Sequence, residues 1–265
     1  MSGVDELNLL EAPLFGPAAM LARYKNMKCA VDGGIATVAV NKYRNYNHAS
    51  PETGGCQHAL AVSVRLREVA RDAYDRAGGR ANYVEVFVGK GLPGTIAGVL
   101  ETFAAYSDAF IAKFAGRKGT PEGKCAAILA DGSITWEQTL QQICDEYIGL
   151  DCNGFVCNWL RLLQPDLKIH PNRDRADEVR RRAKAYRTSL EQIEYWDILC
   201  YVHGEHIAAV DCAGSVPGKF MVCQSAGGGP RNNEFGFLKT GTKTFQLAAP
   251  TQQDVASQFY VISLW

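Results

Sequence analysis

No two of the nine cysteines stand at the CxxC spacing of a zinc site, and an odd number scattered this way does not form a disulfide framework. The closest two, Cys152 and Cys157, fall on different faces of any helix that holds both. Neither sign of charge is in excess: 28 Lys and Arg stand against 28 Asp and Glu, so no global field draws the chain to nucleic acid or to an anionic membrane. Long apolar runs are missing too, which excludes a membrane-spanning helix. The first residues carry Asp5, Glu6 and Glu11 and no basic segment ahead of an apolar one, so no signal peptide is expected. These absences predict a reduced protein that is cytoplasmic in the cell that makes it. If it acts elsewhere, a route other than general secretion carries it.

What is present is core-forming material. A chain of 265 residues supports one large domain or two small ones without covalent staples. His58 to Ala77 mixes Leu60, Val62, Leu66 and Val69 with Arg and Asp and stops at Gly78-Gly79, which predicts an amphipathic helix. Tyr83 to Val88 alternates and predicts a strand, and Thr95 to Phe114 predicts a second helix. Gly116 to Gly123 has linker composition and sets a boundary between residues 1–116, whose role is unassigned, and a domain over 117–265. That domain is expected to contain a short strand at 125–129, a helix over 135–147, a second helix over 151–164 and a solvated, charged helix over 174–192. Strands at 196–202, 206–211, 220–225 and 260–264 complete it. Helices first and antiparallel strands afterwards predict an α+β fold, with helices packed on a small antiparallel β-sheet.

One cysteine has a special place in this pattern. Asp151 is a preferred N-cap type, and Phe155, Trp159, Leu162 and Leu163 follow as one apolar stripe before Pro165 ends it. Cys152 therefore sits in the first turn, where unpaired N–H groups and the helix dipole favour a thiolate. A thiolate nucleophile needs a base, and a polar group to hold that base in one tautomer. His206 opens the apolar strand Ile207-Ala208-Ala209-Val210, with His203 across the Gly204-Glu205 turn as its rival. On the next strand, Gln224 offers a neutral amide oxygen to the imidazole N–H. Asp211 is the charged alternative, at the far end of the histidine's own strand.

Asp151-Cys152-Asn153-Gly154-Phe155-Val156, then Trp196-Asp197-Ile198-Leu199, then Gly204-Glu205-His206-Ile207-Ala208, then Val222-Cys223-Gln224-Ser225 resemble, in order and in expected secondary structure, the NlpC-type cysteine peptidases of the papain-like superfamily. The resemblance covers residues 124–265. It implies Cys152 as nucleophile, His206 as base and Gln224 as orienter, with hydrolysis of peptide bonds in bacterial peptidoglycan stem peptides next to D-glutamate and diaminopimelate. Tyr147 stands where the family has a tyrosine-rich loop ahead of the cysteine. Asn153 replaces the usual serine, Glu205 separates the glycine from the histidine, and Gln224 stands where histidine is frequent.

The expectation is thus a peptidoglycan peptidase that requires no metal or organic cofactor. Tyr147, Asp151 and Arg231 are its candidate substrate contacts, the last on the Gly227–Asn233 rim. An injected antibacterial toxin, delivered to the target cell's periplasm with a carrier or immunity protein as partner, fits this reading, as does a phage lysin. A deamidase, transglutaminase or acyltransferase acting on a protein begins from the same thioester. A binding module in which Cys152 is only structural is the third alternative.

Overall fold

The structure, a computed structural model, describes residues 16–44, 55–76, 79–204, 206–248 and 258–265. Residues 1–15, read above for a leader, and Gly78 and Glu205 lie outside them. The chain is α+β and divides into two compact units, with the main boundary between Asp151 and Cys152. Among the described residues no helix is long and apolar enough to cross a membrane.

The first unit holds residues 22–151 with 227–229 and is mainly helical. After α1 (Pro17–Lys25), which begins outside this unit, come a hairpin of β1 (Met27–Val31) and β2 (Gly34–Val38) and then α2 (Gly55–Val69), α3 (Arg71–Arg76), α4 (Gly79–Phe87), α5 (Pro93–Ala105), α6 (Ser107–Phe114), α7 (Pro121–Leu129) and α8 (Trp136–Tyr147). Helix α5 packs on β1, and α8 packs on β2. The side chain of Gln141 fixes that second contact by accepting from the Ala39 N–H and donating to the Ala39 carbonyl, both at 2.9 Å. At its start α8 carries a capping box, in which Thr135 accepts from the Gln138 N–H while Gln138 accepts from the Thr135 N–H.

Two strands expected here are helices. Tyr83–Val88 lies in and just beyond α4, because Tyr83, Val86 and Phe87 are all buried among α2, α3 and α5, and a segment covered on several sides loses the helical stripe. The Tyr83 hydroxyl bonds the Thr102 hydroxyl at 2.9 Å. Residues 125–129 belong to α7, whose start is written in Thr120-Pro121: Thr120 accepts from the Gly123 N–H, and Pro121 takes the first helical position. The glycine-rich run at 116–123 is therefore a turn inside this unit rather than a linker. A Cβ at Gly123 would lie 1.9 Å from the Arg117 carbonyl oxygen, so the run is closed tightly on itself.

The second unit holds residues 16–21, 152–226 and 230–265. It comprises α9 (Cys152–Leu163), α10 (Ala176–Arg181), β3 (Ala185–Tyr186), β4 (Ile198–Tyr201), β5 (Ile207–Ala213), β6 (Lys219–Ala226), β7 (Gly229–Lys239, of which Gly229 falls in the first unit), β8 (Thr244–Ala248) and β9 (Gln258–Ser263). The strands run in the order β3-β9-β4-β5-β6-β7-β8, and β8 also pairs with β9. Six strands thus close the expected antiparallel sheet into a barrel, and β3 lies on its outside edge.

Alternation sorts the side chains. Leu199, Ala208, Val210, Val222, Phe237, Phe245 and Phe259 form the barrel core. Ile198, Cys200, Ile207, Ala209 and Cys223, of opposite parity, are buried as well, and α9 packs on β5 and β6 while α10 packs on β4. The long charged helix expected over 174–192 shortens to α10 and passes into β3, because Arg182 and Arg187 bind carboxylates outside α10. Arg182 pairs with Asp174 at 2.8 Å, and Arg187 reaches Asp197 through Nε at 2.8 Å and a terminal nitrogen at 3.0 Å. The glycine run at 227–229 turns directly into β7, which places Arg231 within a strand.

Candidate active site

Helix α9 begins at Cys152. Phe155, Val156, Cys157, Asn158, Trp159 and Leu160 are all fully buried, while Leu162 and Leu163 are half-buried. The thiol residue itself is 3 % exposed. Among the described residues, Cys29, Cys125, Cys144, Cys157, Cys200 and Cys223 are also buried, and Cys212 is half-buried. Burial pushes the Cys29 thiol up to about 12 and those of Cys125, Cys144, Cys200 and Cys223 higher still, which keeps them protonated and poorly nucleophilic. Cys157 donates its S–H to the Asp174 carbonyl at 3.5 Å.

His206 stands just ahead of β5 and Gln224 lies near the end of β6. The register pairs Ala209 with Cys223 and Val210 with Val222, so its continuation sets Ala208 opposite Gln224 and leaves His206 diagonal to Gln224 on the same face. Across that diagonal His206 Nε2 meets Gln224 Oε1 at 2.7 Å. An amide oxygen only accepts, so Nε2 carries a proton, and in the neutral ring the lone pair is on Nδ1. Gln224 is 5 % exposed, which shelters the bond from water.

On the other side, continuation of the β4–β5 register puts Tyr201 opposite His206, and the two rings meet edge to face at 5.0 Å between centroids. The Tyr201 N–H also donates to the His206 carbonyl at 3.1 Å. Sequence reasoning missed Tyr201. The strand register would have found it, since the β4–β5 turn fixes which residue faces the histidine. His203 is exposed in that turn. Asp211 sits at the bulge between Val210 and Cys212 and accepts from the Ala18 N–H at 2.9 Å, so it caps the start of α1 instead of orienting an imidazole.

The candidate substrate contacts are distributed differently. The buried Tyr147 hydroxyl donates to the Pro121 carbonyl at 2.8 Å within the helical unit, and burial pushes its pKa up. That side chain holds α8 to α7 and offers no free hydroxyl to a substrate. Asp151 is 1 % exposed and accepts from Lys90, which commits its carboxylate to a partner. Arg231, half-buried in β7, has a buried Nε without a hydrogen-bond partner. Of the residues singled out in the sequence, the structure brings His206 and Gln224 into direct contact, and it packs the helix that begins with Cys152 on their two strands. Among the described residues, no group of three His, Cys, Asp or Glu side chains is placed to hold a metal ion.

No family model matches the chain, and no curated protein or solved structure matches it either.

Proposed function

We propose that the chain is a papain-like cysteine peptidase of NlpC type that hydrolyses peptide bonds in bacterial peptidoglycan stem peptides, in the region of D-glutamate and diaminopimelate. The observation that carries the reading is the 2.7 Å bond between His206 Nε2 and Gln224 Oε1. A neutral imidazole fixed as the Nε2–H tautomer is a base at Nδ1, which is what a thiol at a helix start needs.

In the reaction His206 Nδ1 takes the proton of Cys152 Sγ, and the thiolate forms a bond to the scissile carbonyl carbon. The resulting oxyanion is held by the Cys152 backbone N–H and a neighbouring donor. The imidazolium returns the proton to the leaving nitrogen, the C–N bond breaks and a thioester remains. Water, deprotonated by His206, attacks the thioester, and the carboxylate product and the thiol are released. Throughout, Gln224 holds the ring and stabilises its charged form. The substrate places the site of action in the periplasm of a target cell, as for an injected toxin or a phage lysin.

Purified peptidoglycan incubated with the wild type and with Cys152→Ala, then resolved by mass spectrometry, tests the proposal. Stem-peptide fragments produced by the wild type alone support it. Identical profiles from the two folded proteins overturn it. A gain of about one mass unit on a protein glutamine, with intact peptidoglycan, would instead assign the same thioester chemistry to a deamidase.

A further inference from the structure

The strand that follows Gln224 brings a cation to the same end of the barrel. The Phe237 N–H of β7 donates to the carbonyl of Gly218, just ahead of β6, at 3.1 Å, which fixes the register of the two strands at one end. At the other, β6 stops at Ala226 and β7 starts at Gly229, so the two-residue turn keeps that same register. Carried along the strands, it sets Arg231 directly opposite Gln224. Such positions have Cβ atoms about 4.5–5.5 Å apart. Phe235 and Phe237 belong to the barrel core, and alternation gives Arg231 their side of β7, as it gives Gln224 the side of Phe220 and Val222 on β6. Tyr201, His206, Gln224 and Arg231 therefore share one end and one face of four consecutive strands, β4 to β7.

Arg231 differs from other half-buried arginines of its unit. Arg180, Arg182 and Arg187 pair with Asp177, Asp174 and Asp197 at 3.3, 2.8 and 2.8 Å. Arg231 has no carboxylate partner among the described residues, and its Nε is buried without an acceptor. A guanidinium has five donors and no acceptor, so drawing it out of water without an anion is costly. Strand pairing does not call for that charge, because the ladder is made by backbone groups. Gln224 adds neutral donors: its Oε1 is committed to His206, which leaves the two hydrogens of Nε2 to donate. A planar guanidinium beside an amide N–H matches the two oxygens of a carboxylate.

We propose that Arg231, with the Nε2 amide of Gln224, binds a free carboxylate of the substrate, so that the site takes an acidic peptide and rejects its amidated form. The proposal rests on His206 being the base of the peptidase described above. Two strand spacings, roughly 10 Å, separate the strand of His206 from that of Arg231. This is the length of about three extended residues, so the carboxylate belongs to a residue within that distance of the scissile bond.

The test compares stem peptide released from purified peptidoglycan, with its carboxyl groups free, against the same peptide with those groups converted to amides. Cleavage is measured with the wild type and binding, by calorimetry, with Cys152→Ala. The wild type should favour the acid by about 10- to 100-fold in kcat/KM, the range of one charge-assisted contact. Arg231→Met should lose that preference, chiefly through slower cleavage of the acid, and Arg231→Lys, which keeps the charge without the fork, should fall between. Equal cleavage of acid and amide by the wild type overturns the carboxylate site and leaves the peptidase reading intact. An Arg231→Met that slows both peptides alike marks a structural role and also overturns it. If Arg231→Met does not fold, the wild type and Arg231→Lys decide. If neither peptide is cut, yet Cys152→Ala binds the acid more tightly and adding Arg231→Lys narrows the difference, the carboxylate site stands and the peptidase reading fails. Neither cleavage nor binding refutes both.

Discussion

Truncation of Gln224 to alanine removes the acceptor of the His206 Nε2 proton. The lost bond is 2.7 Å long and its acceptor is 5 % exposed, so water does not freely replace it, and an orphaned buried donor costs about 1–3 kcal/mol. The same bond strengthens when the ring is charged. A neutral pair contributes about 0.5–1.5 kcal/mol and a charged donor about 1.5–3, so about 1 kcal/mol acts on the imidazolium alone. At about 1.4 kcal/mol per unit, Gln224→Ala should lower the basicity of His206 by about 0.7 pKa units. Gln224→Glu places an anion at the same point and should raise it by about 1–3 units. Histidine proton–carbon NMR titration reads this midpoint without a substrate, in a Cys152→Ala background so that the thiol does not titrate with it. On the proposed mechanism, activity at high pH fails when the imidazolium loses its proton. The alkaline limb of kcat/KM should therefore move down for the alanine variant and up for the glutamate variant. Two variants whose histidine midpoints both stay within about 0.3 units of the parent would refute the assignment of Gln224 as orienter.

Three further perturbations address the frame around the site. Arg187→Met strands the fully buried carboxylate of Asp197 and should cost about 3–5 kcal/mol in urea unfolding. Burial already pushes the Asp197 pKa up despite the guanidinium, so that deficit should shrink at low pH, where the orphaned carboxyl takes up a proton. Gly123→Ala drives a methyl group into the Arg117 carbonyl and should lower the thermal midpoint by several degrees, about 1–3 kcal/mol, where a true linker would tolerate it. The backbone N–H of Ser215, then its side chain and Lys219, hold the Glu234 carboxyl down at about 2. A folded pKa below the unfolded value of about 4.3 gives stability that is complete above that value and lost as pH falls toward about 2. Glu234→Gln should flatten the acid denaturation profile in that window, and an unchanged slope would refute the assignment.

Legibility in the sequence followed burial. Helix α8 was readable because Thr135 and Gln138 form its cap and one face stays wet, and α9 because Pro165 ends a clear stripe. Helix α4 was misread because burial of Tyr83, Val86 and Phe87 among three other helices erases the periodicity that separates helix from strand. Helix α7 was misread for a different reason: Thr120-Pro121 is a helix start, but the surrounding glycines drew attention to flexibility. The barrel's β7 and β8 went unseen because β7 opens with Gly229-Pro230-Arg231-Asn232-Asn233, a polar run whose pairing is set by neighbours distant in the chain. At the candidate site, Gln224 over Asp211 followed from the period of two along short strands. Lys90, 61 positions before Asp151 in sequence, carries no local signal of its pairing with that carboxylate.

Strand β9 completes the barrel, and it is the last strand in chain order, lying between β4 and β8 with β3 at its side. During translation the strands bearing His206 and Gln224 emerge first, while β4 and β8 wait with open hydrogen-bonding edges until residues 258–263 leave the ribosome. A nascent chain therefore lacks the closed barrel around His206 and Gln224 until that last strand pairs with β4 and β8.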